Sequence, residues 1–145
     1  MVGKKSNKVK NTVKIEMVKR FAEAIGDVHP IYIDEAFGKV STYGKNIAPP
    51  TFPRVFDYGE IKGLKLPGKG LIHGEHRYYY GRPLFVGEEI NCFSEVKSYV
   101  EKKGHNGRMG ILEIVNYGES HDGKMIFSEK MVTIITETVR KAMNS

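Results

Sequence analysis

Residues 88–139, EEINCFSEVKSYVEKKGHNGRMGILEIVNYGESHDGKMIFSEKMVTIITETV, decide the fold. Three segments rich in β-branched and aromatic residues are separated by turn-like KGHNG and HDGK. That composition and spacing predict three long strands. Connections this short make consecutive strands antiparallel neighbours. Upstream, GLIHGEHRYYYGRPLF (70–85) reads as a fourth long segment, which GRPLFVG joins to the next. Strands are usually five or six residues long, so a sheet of longer ones has to curl.

The first half of the chain follows a helical pattern. Ile15, Val18, Ala22 and Ile25 recur at helical spacing among charged residues, which predicts an amphipathic helix that Gly26 ends. Asp34 is placed to cap a short second helix reaching about Val40. STYGKNIAPP (41–50) and LKLPGKG (64–70) read as loops. Between them, TFPRVFDYGEIKGL (51–64) is expected to be a third helix, capped by Thr51 with Pro53 in its first turn. Its apolar residues Val55, Phe56, Ile61 and Leu64 would fill the concave face of the curled sheet. Helices first and a long-stranded meander afterwards predict an α+β fold in one domain over residues 14–140.

The net charge of +6 raises the question of a nucleic-acid partner. Five of the 23 basic residues, Lys4, Lys5, Lys8, Lys10 and Lys14, precede the first acid, and the remaining 18 face 17 acidic residues. Residues 1–13 are therefore expected to be a basic, flexible tail on a nearly neutral body, with no nucleic-acid partner. No apolar run approaches membrane-spanning length, and the first residues lack a secretory apolar stretch. The single cysteine, Cys92, excludes an internal disulfide. These features point to the cytoplasm.

AIGDVHPIYIDEAFG (24–38) holds the candidate chemistry: Asp27, His29 and Tyr32 lie within six positions, wedged around Pro30. "AIGD" followed by "HPIYID" resembles the start of the MaoC-like (R)-specific enoyl-thioester hydratases, whose pattern is G-D-x-N-P-[IL]-H-x-D. "APPTF", "HGEH", "YGRPLFVGEEI" and "MVTIITE" resemble the N-terminal FAS1-like dehydratase (HadA-like) branch of that family. The resemblance runs from about residue 12 to 138. It implies a hot-dog fold, a long antiparallel sheet wrapped around a central helix, with two units paired as a double hot dog. It also implies reversible dehydration of 3-hydroxyacyl thioesters of coenzyme A or acyl carrier protein, without a cofactor.

In that reaction a base removes the proton beside the thioester carbonyl and an acid protonates the departing hydroxyl. Backbone N–H groups at a helix start, here Thr51 and its neighbours, would steady the enolate oxygen. Carried across, the family aspartate falls on Asp27, His29 replaces the asparagine, and Tyr32 stands where the catalytic histidine belongs. A phenol serving as base at pH 7 forfeits roughly 3.5 units of ionisation relative to imidazole, about 5 kcal/mol. Asp27 would oppose its ionisation further. His29 is a candidate replacement or, more plainly, a loop-capping residue.

The resemblance gives a substrate-binding role to Pro30, Pro50, Thr51, Phe52, His73, Gly74, Glu75 and His76. Strand alternation would put His73 and Glu75 on one face and His76 on the other, which does not make a metal site. These features together predict the substrate-binding half of a hydratase/dehydratase, paired with a second hot-dog chain bearing the intact acid–histidine motif. The alternatives are a self-sufficient homodimeric hydratase or hot-dog thioesterase, and a non-catalytic acyl-thioester binding module.

Overall fold

The computed structural model describes residues 1–67, 69–105 and 107–143. Strand β1 (Val9–Thr12) is followed by helices α1 (Ile15–Ala24), α2 (Pro30–Ile33) and α3 (Glu35–Val40). Then come β2 (Leu71–Tyr80), β3 (Glu89–Gly104), β4 (Gly107–Glu119), β5 (Met125–Ile135) and helix α4 (Glu137–Met143). The strands form one antiparallel sheet in the order β1-β3-β4-β5-β2. The expected meander is thus its centre, with the two earliest strands added at its edges. Two of the expected loops each contain a position outside the described residues, Gly68 in LKLPGKG and Asn106 in KGHNG.

The predicted helix starts and stops have local causes. Asp34 Oδ1 accepts the N–H groups of Ala36 and Phe37 and so caps α3. Past α1, Gly26 adopts φ +74°, and the Asp27 N–H returns to the Ala22 carbonyl at 2.9 Å. The strand α4 was expected to continue is instead cut at Ile135, and a short C-terminal helix follows.

Two expectations are corrected. Residues 1–13 are not a loose tail. Val9–Thr12 pairs with β3, the Ser6 N–H donates to the Ser94 carbonyl at 2.9 Å, and Val13 is fully buried. The lysines remain at the surface of this edge, where Lys8 meets Glu119 and Lys10 lies 3.5 Å from Glu89. Main-chain pairing, which ignores side-chain charge, holds the segment.

The central helix over 51–64 is the second correction. Only Phe52–Val55 turns, as one 3₁₀ element. Phe56 then leaves the helical region at ψ 152°, and Asp57 Oδ1 accepts the Gly59 N–H at 2.9 Å. Gly59 sits at φ +74° and Gly63 at +83°. Asn11 of β1 bonds the Asp57 main chain on both sides, at 2.8 and 3.0 Å. Local Asx and glycine turns therefore outcompete helical bonds here.

The segment still covers the concave face. Phe52 and Phe56 pack with Val18 of α1, Ile90, Cys92 and Phe127 in one core cluster. Ile61 joins Val96, Leu112 and Ile135 in a second, flanked by Leu64, Leu66 and Val139.

Candidate functional site

The turn after α1 delivers Asp27 to the surface, where its side chain is exposed. His29 caps α2: its Nδ1 accepts the Ile31 N–H at 3.1 Å. Pro30, at the first position of α2, fits because that position needs no N–H. Tyr32 is half-buried against the core, its ring 6.1 Å from that of His29. Burial raises the Tyr32 hydroxyl above the usual phenol range, and Asp27 and then Tyr43 add to the effect. Tyr32 is therefore a hydrogen-bond donor at neutral pH and does not supply a base. Asn46, a residue the sequence reading passed over, ties the stretch together. Its buried amide donates to the carbonyls of Ile31 and Asp34 at 2.8 and 2.9 Å.

At the 3₁₀ turn, Thr51 and Pro50 are exposed, whereas Phe52 is fully buried between Phe21 and Phe56. Phe52 is thus a core residue of this chain. The Phe52 N–H donates to the Pro49 carbonyl at 2.9 Å and the Arg54 N–H to Thr51 at 3.2 Å. Pro53 has no N–H. The expected cradle of free helix-start donors is thus largely consumed within the turn. The Pro50 carbonyl accepts the Tyr80 hydroxyl.

The alternation expected in "HGEH" is broken by a β-bulge between His73 and Glu75. A Cβ on Gly74 would lie 3.3 Å from the Val132 carbonyl and from Ile134, so the bulge needs its small residue. The extra residue returns His76 to the face of His73, with ring centroids 5.3 Å apart. Tyr78 stacks on His76 at 4.7 Å. Glu75 lies on the other face with Arg77. Among the described residues no group of three metal-binding side chains converges.

Under this histidine lies a buried polar network absent from the sequence reading. His76 Nε2 is 2.5 Å from Glu129 Oε1, and Glu129 is only 1% exposed. Glu129 Oε2 accepts the Asn116 amide at 3.2 Å and faces the Tyr58 hydroxyl at 3.4 Å. Asn116 Oδ1 accepts the Ser94 hydroxyl, and the Ser94 N–H donates to Ser6 Oγ at 2.7 Å. Burial, and next the nearby Glu129, push the hydroxyls of Tyr58 and Tyr78 well above the phenol range. Among the described residues the buried Tyr78 hydroxyl meets no partner at full hydrogen-bond geometry, and Glu129 is the nearby acceptor that acts on it. One signal was available in the sequence: Glu129 occupies the inward register between Phe127 and Met131.

Two hollows lie under the 56–66 segment. The smaller, about 350 Å³, is walled by Phe56, Tyr58, Ile61, Leu64, Ile114 and Met131, with Ser94 and Asn116 also lining it. The larger, about 700 Å³, shares Leu64 and is bounded by Leu66, Tyr99, Leu112, Ile135 and Met143. Asp27, His29 and Tyr32 line neither.

The FAS1-like, dehydratase domain region family matches residues 1–129. The chain belongs to this family. A UPF0336 protein of Streptomyces avermitilis is 31% identical over 133 residues, covering 88% of this chain and 83% of that protein. Two solved complexes from Mycobacterium tuberculosis share the fold. The truncated HadBC complex, a 3R-hydroxyacyl-ACP dehydratase, superposes with TM-score 0.77 at 19% identity, over 92% of this chain and 96% of that one. The ChsH1–ChsH2 complex gives 0.73 at 20% identity, over 92% and 83%.

The fold of this FAS1-like dehydratase domain is the hot dog, with the sheet curled over the 52–66 segment. In that frame Gly26 and Asp27 form the turn after α1, and the Tyr32 phenol stands on α2. Among the described residues, no helix is long and apolar enough to cross a membrane.

Proposed function

We propose that the chain is a subunit of a 3-hydroxyacyl-thioester dehydratase, or equivalently an (R)-specific enoyl-thioester hydratase, in fatty-acyl metabolism. Within it, this chain is the substrate-binding half. The observation that carries the reading is Tyr32: the motif's base position holds a phenol whose ionisation is suppressed by burial and by Asp27. The proton transfers then fall to a second hot-dog chain with an intact acid–histidine pair. The acyl group, carried on coenzyme A or acyl carrier protein, would lie in the hollows beneath the 56–66 segment. The chemistry is proton transfer alone and calls for no cofactor.

The outer edge of β2 supports a pairing of units. It ends the sheet, and Ile72 and Tyr79 stand half exposed along it, at 49% and 52%. A ten-residue strand edge left open is a ready template for a second chain. Both complexes described above are named as assemblies of two chains. The single buried cysteine fits a reducing compartment, the cytoplasm. A self-sufficient site using His29 has less support, because one ring nitrogen is committed to capping α2.

The test is hydration of short and medium trans-2-enoyl-coenzyme A. The expected result is no turnover by the chain alone, and turnover once a hot-dog partner with the intact motif is added. Turnover by the chain alone, abolished in Asp27→Asn, overturns the division of labour.

A further inference from the structure

The polar pair lining the smaller hollow has hydrogen-bonding capacity left over. A side-chain amide carries two N–H donors, and a hydroxyl carries one donor and two acceptor lone pairs. Asn116 spends one N–H on Glu129 Oε2 and its carbonyl on the Ser94 hydroxyl. Among the described residues its second N–H meets no acceptor. Ser94, having donated its only hydrogen, keeps unused lone pairs on Oγ. Both residues are more than nine-tenths buried, at 6% and 8% exposure, and both line the cavity. Each of these polar atoms already has one partner, and the spare N–H and lone pairs can take a second from a molecule that enters the hollow.

The amide cannot simply turn over. Glu129, held on its other oxygen by His76, requires a donor from Asn116 and so fixes which end of the amide faces it. What remains is one donor beside one acceptor in a hollow that also has Phe56, Ile61, Leu64, Ile114 and Met131 on its walls and Asp57 and Tyr58 at its polar side. A single hydroxyl complements that pair, accepting from the amide and donating to the serine oxygen. A saturated acyl chain satisfies neither group.

We propose that Ser94 and Asn116 form a subsite for the 3-hydroxyl of a 3-hydroxyacyl thioester, which makes them specificity-determining residues. This rests on the reading of the chain as the substrate-binding half. The Asn116 Nδ2 donates to the hydroxyl oxygen, and the hydroxyl donates to Ser94 Oγ. His76 and Glu129 act behind them as positioning residues. The larger hollow, which shares Leu64 as a wall, takes the remainder of the acyl chain.

Calorimetric titration of the full chain with 3-hydroxybutyryl-coenzyme A and with butyryl-coenzyme A tests the subsite. The hydroxylated thioester should bind about tenfold more tightly, the scale of one well-buried hydrogen-bonded hydroxyl. Asn116→Leu should bring the ratio to about one while butyryl-coenzyme A affinity holds within about twofold. Ser94→Ala, which leaves the Glu129 contacts in place, should reduce the ratio by about threefold. It keeps the test informative where Asn116→Leu fails to fold. Equal binding of the two thioesters by the unmodified chain overturns the subsite, a trapped water then serving these groups, and leaves the thioester reading standing. A ratio unchanged in Ser94→Ala and in a folded Asn116→Leu also overturns it. Binding of neither thioester removes the thioester reading, and the subsite with it.

Discussion

Replacing His76 with leucine should be among the most damaging single changes in the sheet, and a second substitution should repair it. Glu129 is 1% exposed and lies 2.5 Å from the imidazole. Without His76 its remaining polar neighbours include the Asn116 amide at 3.2 Å, the Tyr58 hydroxyl at 3.4 Å and the nearby Tyr78 hydroxyl. Removing one member of a buried pair typically costs about 3–5 kcal/mol, because the other is left uncompensated. Two other contacts temper that figure here. The His76 side chain keeps 16% exposure, and the Asn116 bond survives. We therefore expect about 3 kcal/mol for His76→Leu, a fall in Tm of about 10 °C in a domain of this size.

Glu129→Leu should cost less, about 2 kcal/mol, because the partly exposed imidazole can turn to water. The double variant removes both polar groups, so it should recover much of the loss and bring the total to about 2 kcal/mol. Urea unfolding of the four proteins measures this cycle directly. Strict additivity, a double variant near 5 kcal/mol below the parent, would refute the argument that the two side chains depend on each other.

Other expectations follow from the same geometry. A methyl on Gly118 would overlap the ring of Phe127, itself 1% exposed, so Gly118→Ala should destabilise by about 2–3 kcal/mol in thermal melts. Gly123, at φ +83° with open space around it, should lose only about 1 kcal/mol on the same change. His29→Ala removes the α2 cap and should cost about 1 kcal/mol by urea unfolding; no change would mean the cap bond is not made in solution. Burial pushes the Cys92 thiol up to about 12, whereas the unfolded thiol titrates near 9. The folded state therefore holds that proton where the unfolded state has lost it. Stability should fall between about pH 9 and 12, by up to about 1.4 kcal/mol per pH unit from this group, and Cys92→Ala should flatten that part of the slope.

The strands were legible because burial on a sheet selects β-branched and aromatic residues. Asp34 and Gly26 were legible because caps depend on local chemistry alone. The elements that escaped owe their form to distant partners. Val9–Thr12 sits in a lysine-rich stretch with an unremarkable pattern and becomes a strand because β3 offers it an open edge. The 51–64 segment has apolar residues fit for a helix, yet Asn11 and Gly59 bind and turn it another way. At the site, Asp27, His29 and Tyr32 could be named from their order. The face of His76 could not, since one bulge at Gly74 reverses an alternation that is otherwise sound. Glu129 was hidden for a related reason: its partner lies 53 residues earlier.

The sheet order also dictates a sequence of events during synthesis. β2 leaves the ribosome about 45 residues before β5, the strand it pairs with, begins to emerge. Meanwhile β3 and β4 can zip together through their short connection, since local pairs close fastest. For that interval β2 is a ten-residue extended segment with both main-chain edges open and three consecutive tyrosines at its end. The same edge strand that closes the sheet last is thus the one most exposed to capture by another nascent chain.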